Sequence, residues 1–140
     1  MVAAVSCARV PKLTVIVGGS YGAGNYGMSG KSYNPRFVFG WPNHKVAVMG
    51  PKQLAGVMSI IARQAAEEQG REFDVDADEE RRAEIESQIG YEEQAYFSTA
   101  RIRDDGLIDP RDTRTVLGIA LSAVHSNEVK GTAEFGVFRM

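Results

Sequence analysis

Residues 15–32 are rich in glycine and contain three patterns that carry chemistry in other proteins. Gly22–Gly27 reads G-x-G-x-x-G, which is typical of turns that bind a dinucleotide. Residues 18–22 read G-x-S-x-G, which would make Ser20 the nucleophile of a hydrolase. Residues 30–32, Gly-Lys-Ser, match the end of a phosphate-binding loop, but Asn25 stands where its first glycine belongs.

Each pattern lacks a partner that its chemistry needs. A dinucleotide site uses an acidic residue about 20 positions after the glycines to hold the ribose, and the chain has no acid before Glu67. A hydrolase needs an acid and then a histidine. Asp109 and His125 have this order, but they lie at opposite ends of one predicted helix, roughly 20 Å apart at ~1.5 Å per residue. The phosphate loop lacks a strand ending in Asp that would hold Mg²⁺.

All three patterns share one physical property. Small residues at a strand-to-helix turn leave backbone N–H groups uncovered, and such groups can hold a negatively charged oxygen. The alternative interpretation is tight packing, in which the glycines let a short helix approach its neighbour closely. The residues alone leave both interpretations open.

The elements around this stretch follow from hydrophobic patterning. Short apolar runs predict buried strands at 13–17, 37–41 and 45–49. Gly50 and Pro51 predict a helix start, and Asp109 with Pro110 predicts another. The apolar face of the first helix comprises Leu54, Val57, Met58 and Ile61, and the buried stripe of the last comprises Leu117, Ala120, Leu121 and Val124. Strands alternating with helices predict an α/β fold.

Composition limits the class of protein. A chain of 140 residues with 44% hydrophobic and 24% charged residues is typical of one globular domain. Cys7 is the single cysteine, so an internal disulfide is excluded. No apolar run is long enough for a membrane span, and no nucleic-acid partner is expected. Seven Lys and Arg and no acid precede Glu67, which favours either an anionic ligand or a surface that complements the acidic segment 67–93.

Several motifs in a fixed order point to a family. They are "VGGSYGAGNYGM", "WPN", "VMG", "FSTAR", "DDGLIDPRDTR" and the terminal "FGVFRM". Together they resemble the C-terminal part of the carboxyltransferase β subunit of biotin-dependent acyl-CoA carboxylases, and the methylcrotonyl-CoA and geranyl-CoA branch is the most similar. Residues 1–140 are expected to be the C-terminal portion of this domain, with the N-terminal half absent.

The resemblance implies a crotonase-like (ClpP/crotonase) β-β-α superhelix that forms part of a two-substrate site. Carboxybiotin, carried on a separate protein domain, would supply both the carboxyl group and the base for carboxylation of an acyl-CoA similar to 3-methylcrotonyl-CoA. The protein would stabilise oxyanions with backbone amides, here those of Ala23 and Gly24. Gly22 and Tyr26 would complete the biotin-binding stretch, and Tyr26 occupies a position that shapes the substrate pocket in related subunits.

The resemblance also implies partners and a compartment. The expected partners are the missing N-terminal half, a biotin carboxylase and biotin carrier subunit, and further copies in a hexamer. The expected compartment is the bacterial cytoplasm or the mitochondrial matrix. The chain differs from the branch at four positions. Ser29 and Lys31 stand where the branch often has Cys and Arg, and Pro51 and Lys52 replace a small residue followed by an acidic one. The last two lie near the expected site, so the acyl group of the substrate can differ from that of the branch. The alternatives are a non-catalytic interaction module of the same fold and a dinucleotide-binding oxidoreductase.

Overall fold

The computed structural model describes residues 1–131, and the "FGVFRM" motif at 135–140 lies outside them. Within the described range the α-helices are α1 (Val2–Cys7), α2 (Gly22–Gly27), α3 (Pro51–Glu68), α4 (Val75–Glu92), α5 (Ala95–Thr99) and α6 (Thr113–His125). Short 3₁₀ helices form at Lys31–Tyr33 and Pro110–Asp112. The helix starts predicted at Pro51 and after Asp109 are both confirmed.

Four short strands of residues 1–131 pair in two small sheets. They are β1 (Leu13–Ile16), β2 (Gly19–Tyr21), β3 (Phe37–Gly40) and β4 (Lys45–Ala47). β1 runs parallel to β3, with Leu13 opposite Phe37 and Ile16 opposite Gly40, and β2 pairs with β4. The three predicted strands are confirmed as β1, β3 and β4, but Val48 is 86% exposed, so the expected burial at 45–49 is wrong there.

Although its length predicts one domain, the chain divides into two compact units. The first unit comprises Met1–Val46 and the described residues from Gln94 onward. The second unit is Ala47–Glu93, which contains α3 and α4. All the residues predicted to act on a ligand belong to the first unit.

The core of the first unit lies around β1 and β3. Val38 and Ile16 are buried on these strands, and Ala120 of α6 is 4% exposed. Ahead of α6, the carboxylate of Asp109 accepts the Arg111 N–H at 2.9 Å, as expected of a residue that starts a helix. Leu121 is 47% exposed, so its predicted place in the buried stripe of α6 is wrong.

A buried histidine lies beside this core. His44 is 1% exposed, and its Nδ1 lies 2.9 Å from the carbonyl oxygen of Trp41. Since a carbonyl only accepts, Nδ1 carries the proton of this bond. Nε2 lies 3.9 Å from the buried carboxylate of Asp104, which is too far for a hydrogen bond, and this carboxylate accepts from the Thr99 hydroxyl at 2.7 Å. Backbone hydrogen bonds join β3 to the loop after α5: the Gly40 N–H donates to the Gly106 carbonyl at 3.1 Å, and the Asp105 N–H donates to the Val38 carbonyl at 2.7 Å.

In the second unit, α3 and α4 pack against each other. Ala55 and Ala66 of α3 are buried, and the Ser59 hydroxyl donates to the carboxylate of Asp78 on α4. Val57, Met58 and Ile61, which belong to the predicted apolar face of α3, are 40%, 42% and 53% exposed. Small residues allow two helices to approach closely, so α3 has a buried face of small residues and an exposed face of large apolar ones.

Candidate active site

The predicted amide pair lies in the first turn of α2. Because α2 begins at Gly22, the N–H groups of Ala23 and Gly24 have no acceptor inside the helix. Tyr21, the residue before the helix, makes no capping hydrogen bond with its side chain. Neither N–H donates to any other group within residues 1–131, and both residues are exposed. The two donors are thus available to a ligand.

Gly22 gives α2 its starting geometry. Its φ is +50°, in the left-handed region that side chains with a Cβ enter only with strain. Tyr21 before it is extended, with φ −121° and ψ 140°. The chain therefore changes from strand to helix within one residue, and a glycine is required at that residue. α2 spans all six residues of the literal G-x-G-x-x-G pattern.

Tyr26 lies one turn after Gly22, on an exposed part of α2. Its side chain is 45% exposed, and its ring packs against that of Tyr33 with centroids 5.6 Å apart and a tilt of 48°. This arrangement is typical of favourable aromatic pairs. Tyr26 therefore combines accessible surface with a supported ring orientation.

The loop after α2 is tied back to β1. The Thr14 hydroxyl lies 3.2 Å from the carbonyl oxygen of Met28 and 3.0 Å from that of Ser29. Ser29 has φ +58°, is 6% exposed, and its own hydroxyl has no partner among residues 1–131. Sequence reasoning did not find Thr14, because a lone threonine inside an apolar strand gives no signal of this contact.

Lys31, the basic residue of the phosphate-loop pattern, forms an ion pair instead. Its Nζ lies 2.6 Å from Oδ1 of Asp105, whose Oδ2 accepts the Val38 N–H at 2.7 Å. Burial acts to raise the pKa of Asp105, but the hydrogen bonds from Lys31 and Val38 and the charge of Lys31 outweigh it, so this pKa lies below its ordinary value. Lys31 is therefore engaged within the protein.

The hydrolase hypothesis also fails on placement. Ser20 lies inside β2, while Asp109 precedes the 3₁₀ helix before α6 and His125 is the last residue of α6. The 12 residues of helix α6 before His125 keep the acid and the histidine apart, as their sequence separation predicts. Within residues 1–131, no group of three metal-binding side chains is found, and no helix has the length and apolar character that crossing a membrane requires.

Comparison with known protein families identifies the family of this chain. The model of the carboxyl transferase domain matches residues 1–138. The chain therefore belongs to the carboxyl transferase domain family. The family resemblance inferred from the ordered motifs is confirmed by this match.

Individual relatives point to the same enzymes. The chain is 54% identical to the probable biotin-dependent acyl-coenzyme A carboxylase β2 subunit of Mycobacterium tuberculosis over 140 residues, which are all of this chain and 26% of that protein. It is 50% identical, also over its whole length, to 24% of the probable mitochondrial methylcrotonoyl-CoA carboxylase β chain of Drosophila melanogaster. The chain thus spans about a quarter of the length of these relatives.

Among solved structures, the chain is similar to the β subunit of geranyl-CoA carboxylase from P. aeruginosa. The TM-score is 0.78 at 41% identity, over 99% of this chain and 26% of that one. The mixed α/β class predicted from the sequence is confirmed, and the fold is the crotonase-like fold of carboxyltransferase β subunits. The role of Gly22, Ala23, Gly24 and Tyr26 is not tested by these similarities and stays a prediction.

Proposed function

We propose that this chain forms part of the carboxyltransferase site of a biotin-dependent acyl-CoA carboxylase. The single observation that supports this most is the carboxyl transferase domain match over residues 1–138. Because the chain spans about a quarter of its relatives, we assign the activity to a longer subunit. The family motifs support the proposal that residues 1–140 are the C-terminal portion of its carboxyltransferase domain. The N-terminal half of that subunit is expected to supply the rest of the site.

The first turn of α2 suits the binding of an oxygen that gains negative charge. Ala23 and Gly24 offer two exposed N–H donors, and the stretch before Glu67 contains no carboxylate that would compete for them. Carboxybiotin, when bound, supplies the carboxyl group and the base, so the chain itself needs no catalytic acid or histidine here. The chain's role is to hold the oxyanion, and one such donor contributes about 3 kcal/mol in comparable sites.

In the same proposal, the Tyr26 ring lines one side of the oxyanion site formed by Ala23 and Gly24. Its ring is accessible and is supported by Tyr33, so it can line the space next to the amide pair with a fixed aromatic surface. An aromatic wall suits the apolar acyl group or the biotin ring better than a charged phosphate. The acyl-CoA proposed is one similar to 3-methylcrotonyl-CoA.

The proposed partners follow the relatives' names. Those names describe a β2 subunit, a β chain and a β subunit of carboxylases, which are components of multi-subunit enzymes. We propose a biotin carboxylase and biotin carrier subunit as partners, and a hexamer of the full-length subunit. The relatives are bacterial or mitochondrial, which supports a location in the bacterial cytoplasm or the mitochondrial matrix.

A reconstitution experiment tests the proposal. The chain is expressed alone and as part of the full-length subunit with its biotin-bearing partner, and the carboxylation of 3-methylcrotonyl-CoA and geranyl-CoA is measured. We expect product from the assembled enzyme and none from the chain alone. Product from the chain alone would contradict the division of the site. An assembled enzyme that transfers no carboxyl group would favour a non-catalytic module.

Gly24→Ala tests the amide pair directly. A Cβ at Gly24 would meet nothing within 4 Å, so the helix accepts it and gains about 0.5–1 kcal/mol of stability. Helical Cβ atoms lean toward the N-terminus, so the methyl group crowds the space in front of the first-turn N–H groups. We expect a lower kcat with an unchanged or higher Tm.

The matched control is Gly118→Ala in α6, which also meets nothing within 4 Å. This variant is expected to gain similar stability and to keep full activity. Equal activity of both variants would argue against the amide pair.

A further inference from the structure

Asn25 connects the two ends of α2, once through its side chain and once through its backbone. Asn25, the fourth residue of the helix, donates from Nδ2 to the hydroxyl oxygen of Ser20 at 3.0 Å. Ser20 lies in β2, before the helix begins. The backbone carbonyl of Asn25 accepts the Gly30 N–H at 2.8 Å, in the loop after the helix. Asn25 thus holds the chain on both sides of the amide pair.

Gly30 fits against the amide group of Asn25. A Cβ built at Gly30 would lie 1.8 Å from Oδ1 of Asn25, far inside any van der Waals contact. Gly30 is buried and has φ −63°, so its backbone conformation does not require glycine. The requirement for glycine at this position is therefore steric, and it comes from Asn25.

We propose that Asn25 is a positioning residue for the amide pair, acting through a latch made of Ser20, Asn25 and Gly30. This inference rests on the proposed function. Gly22 and Gly24 give the first turn of α2 great conformational freedom, and no side chain caps that turn. The latch ties both β2 and the loop after α2 to Asn25, so the N–H groups of Ala23 and Gly24 between them keep one orientation.

Ser20→Ala and Ser20→Thr, made in the full-length subunit with its biotin-bearing partner, test the latch. Ser20→Ala removes the acceptor of Asn25 Nδ2, and we expect kcat to fall about fivefold, the equivalent of one neutral hydrogen bond. The KM for acyl-CoA should not change, because the amides act on charge that develops in the transition state. Ser20→Thr keeps the hydroxyl and should restore most of the kcat.

The control is Ser122→Ala, because the Ser122 hydroxyl donates to the Gly118 carbonyl within α6, far along the chain from α2. It should leave kcat unchanged. A Ser20→Ala enzyme with normal kcat, or one in which kcat and KM change together, would overturn the proposal. So would a Ser20→Thr enzyme that is no better than Ser20→Ala.

A double-mutant cycle checks that Gly30 acts through Asn25. Gly30→Ala is expected to lower both Tm and kcat because its methyl group collides with the Asn25 amide. In an Asn25→Ala background this collision is gone, so Gly30→Ala should lower Tm and kcat clearly less than it does in the wild type. Strictly additive effects would overturn the proposal.

Failure of the inference is distinguishable from failure of the proposed function. A wild-type assembly without carboxyl transfer rejects both. An active wild type with a normal Ser20→Ala variant rejects the latch alone.

Discussion

Helices α2 and α4 begin in opposite ways. At the start of α4, the Asp74 carboxylate accepts the Ala77 N–H at 3.0 Å, and Asp76 and Asp78 lie in the first turn. At the start of α2, Tyr21 provides no cap and the first turn contains no acid. α4 therefore satisfies one of its first N–H groups with a carboxylate of the chain, while α2 leaves the N–H groups of Ala23 and Gly24 exposed.

The two helix starts differ in how much they stabilise their helices. A capping carboxylate typically stabilises a helix by ~1 kcal/mol, and acids in the first turn add to this. α4 uses this stabilisation, and α2, which has six residues, does without it. A short helix that omits its most accessible source of stability keeps its donors available for another molecule. The start of α4 is thus suited to stability, and the start of α2 is suited to binding a ligand.

A carboxylate cap on α2, like the one on α4, would occupy one of its exposed N–H groups. Tyr21 has extended φ and ψ, as a capping residue requires, so the carboxylate of Tyr21→Asp can accept from Ala23 or Gly24. We expect this variant to lose about 100-fold in kcat, the equivalent of one oxyanion donor. Tyr21→Ala removes the same ring without adding an acceptor, and it should lose much less. Equal activities of the two variants would contradict the open-turn interpretation.

Two glycines with positive φ provide a second test. Gly22, the first residue of α2, has φ +50°, and Gly70 between α3 and α4 has φ +62°. An alanine at either position should cost about 1–2 kcal/mol of unfolding free energy, measured by urea denaturation. Only Gly22→Ala should also reduce carboxyl transfer beyond its effect on stability. Asn tolerates this conformation better, so Gly22→Asn should recover part of the loss.

Removal of the α4 cap gives a smaller effect, confined to stability. Asp74→Ala leaves the Ala77 N–H without its acceptor and should lower the unfolding free energy by ~1 kcal/mol. Asp74→Asn, which keeps a side-chain acceptor, should lose only a fraction of this. Thermal unfolding and carboxyl-transfer kinetics measured on the same samples check the expectation. A loss of kcat at constant Tm would show that α4 also has a role in the site.

The smallest effect is expected at the ion pair near α2. The lowered pKa of Asp105 means that the pair stabilises the fold above the ordinary pKa of the carboxyl group, and that this contribution is lost as pH falls through the lower folded value. Lys31→Met should therefore cost ~0.5 kcal/mol at pH 7, since both side chains are partly exposed. The difference from wild type should shrink progressively below pH ~4. If the difference in unfolding free energy between Lys31→Met and wild type did not depend on pH, packing of the Lys31 side chain and not the ion pair would be its cause.

Local signals in the sequence predicted the elements well. The strands β1, β3 and β4 follow from short apolar runs, and the helix starts follow from Pro51 and from Asp109 with Pro110. The exposed first turn of α2 agrees with the expectation of uncovered amides, although the packing interpretation was equally open. These features depend on a few neighbouring residues, which is why a single sequence contains them.

Features that depend on distant residues were not predicted. Periodicity identified the apolar face of α3, but it does not determine what covers that face: Val57, Met58 and Ile61 are exposed, while Ala55 and Ala66 are buried. The exposure of Leu121 has the same cause. The bond from Asn25 to Ser20 was missed because Ser20 was considered only as a nucleophile and Asn25 only as a departure from the phosphate-loop pattern.

The buried His44 has an evolutionary consequence. A Cβ at Gly40 would lie 2.2 Å from Nδ1 of His44, so positions 40 and 44 share one volume. A larger residue at position 40 becomes acceptable only after the histidine has been replaced by a smaller one. The order in which these two mutations accumulate in a lineage is therefore constrained, and the two positions should covary.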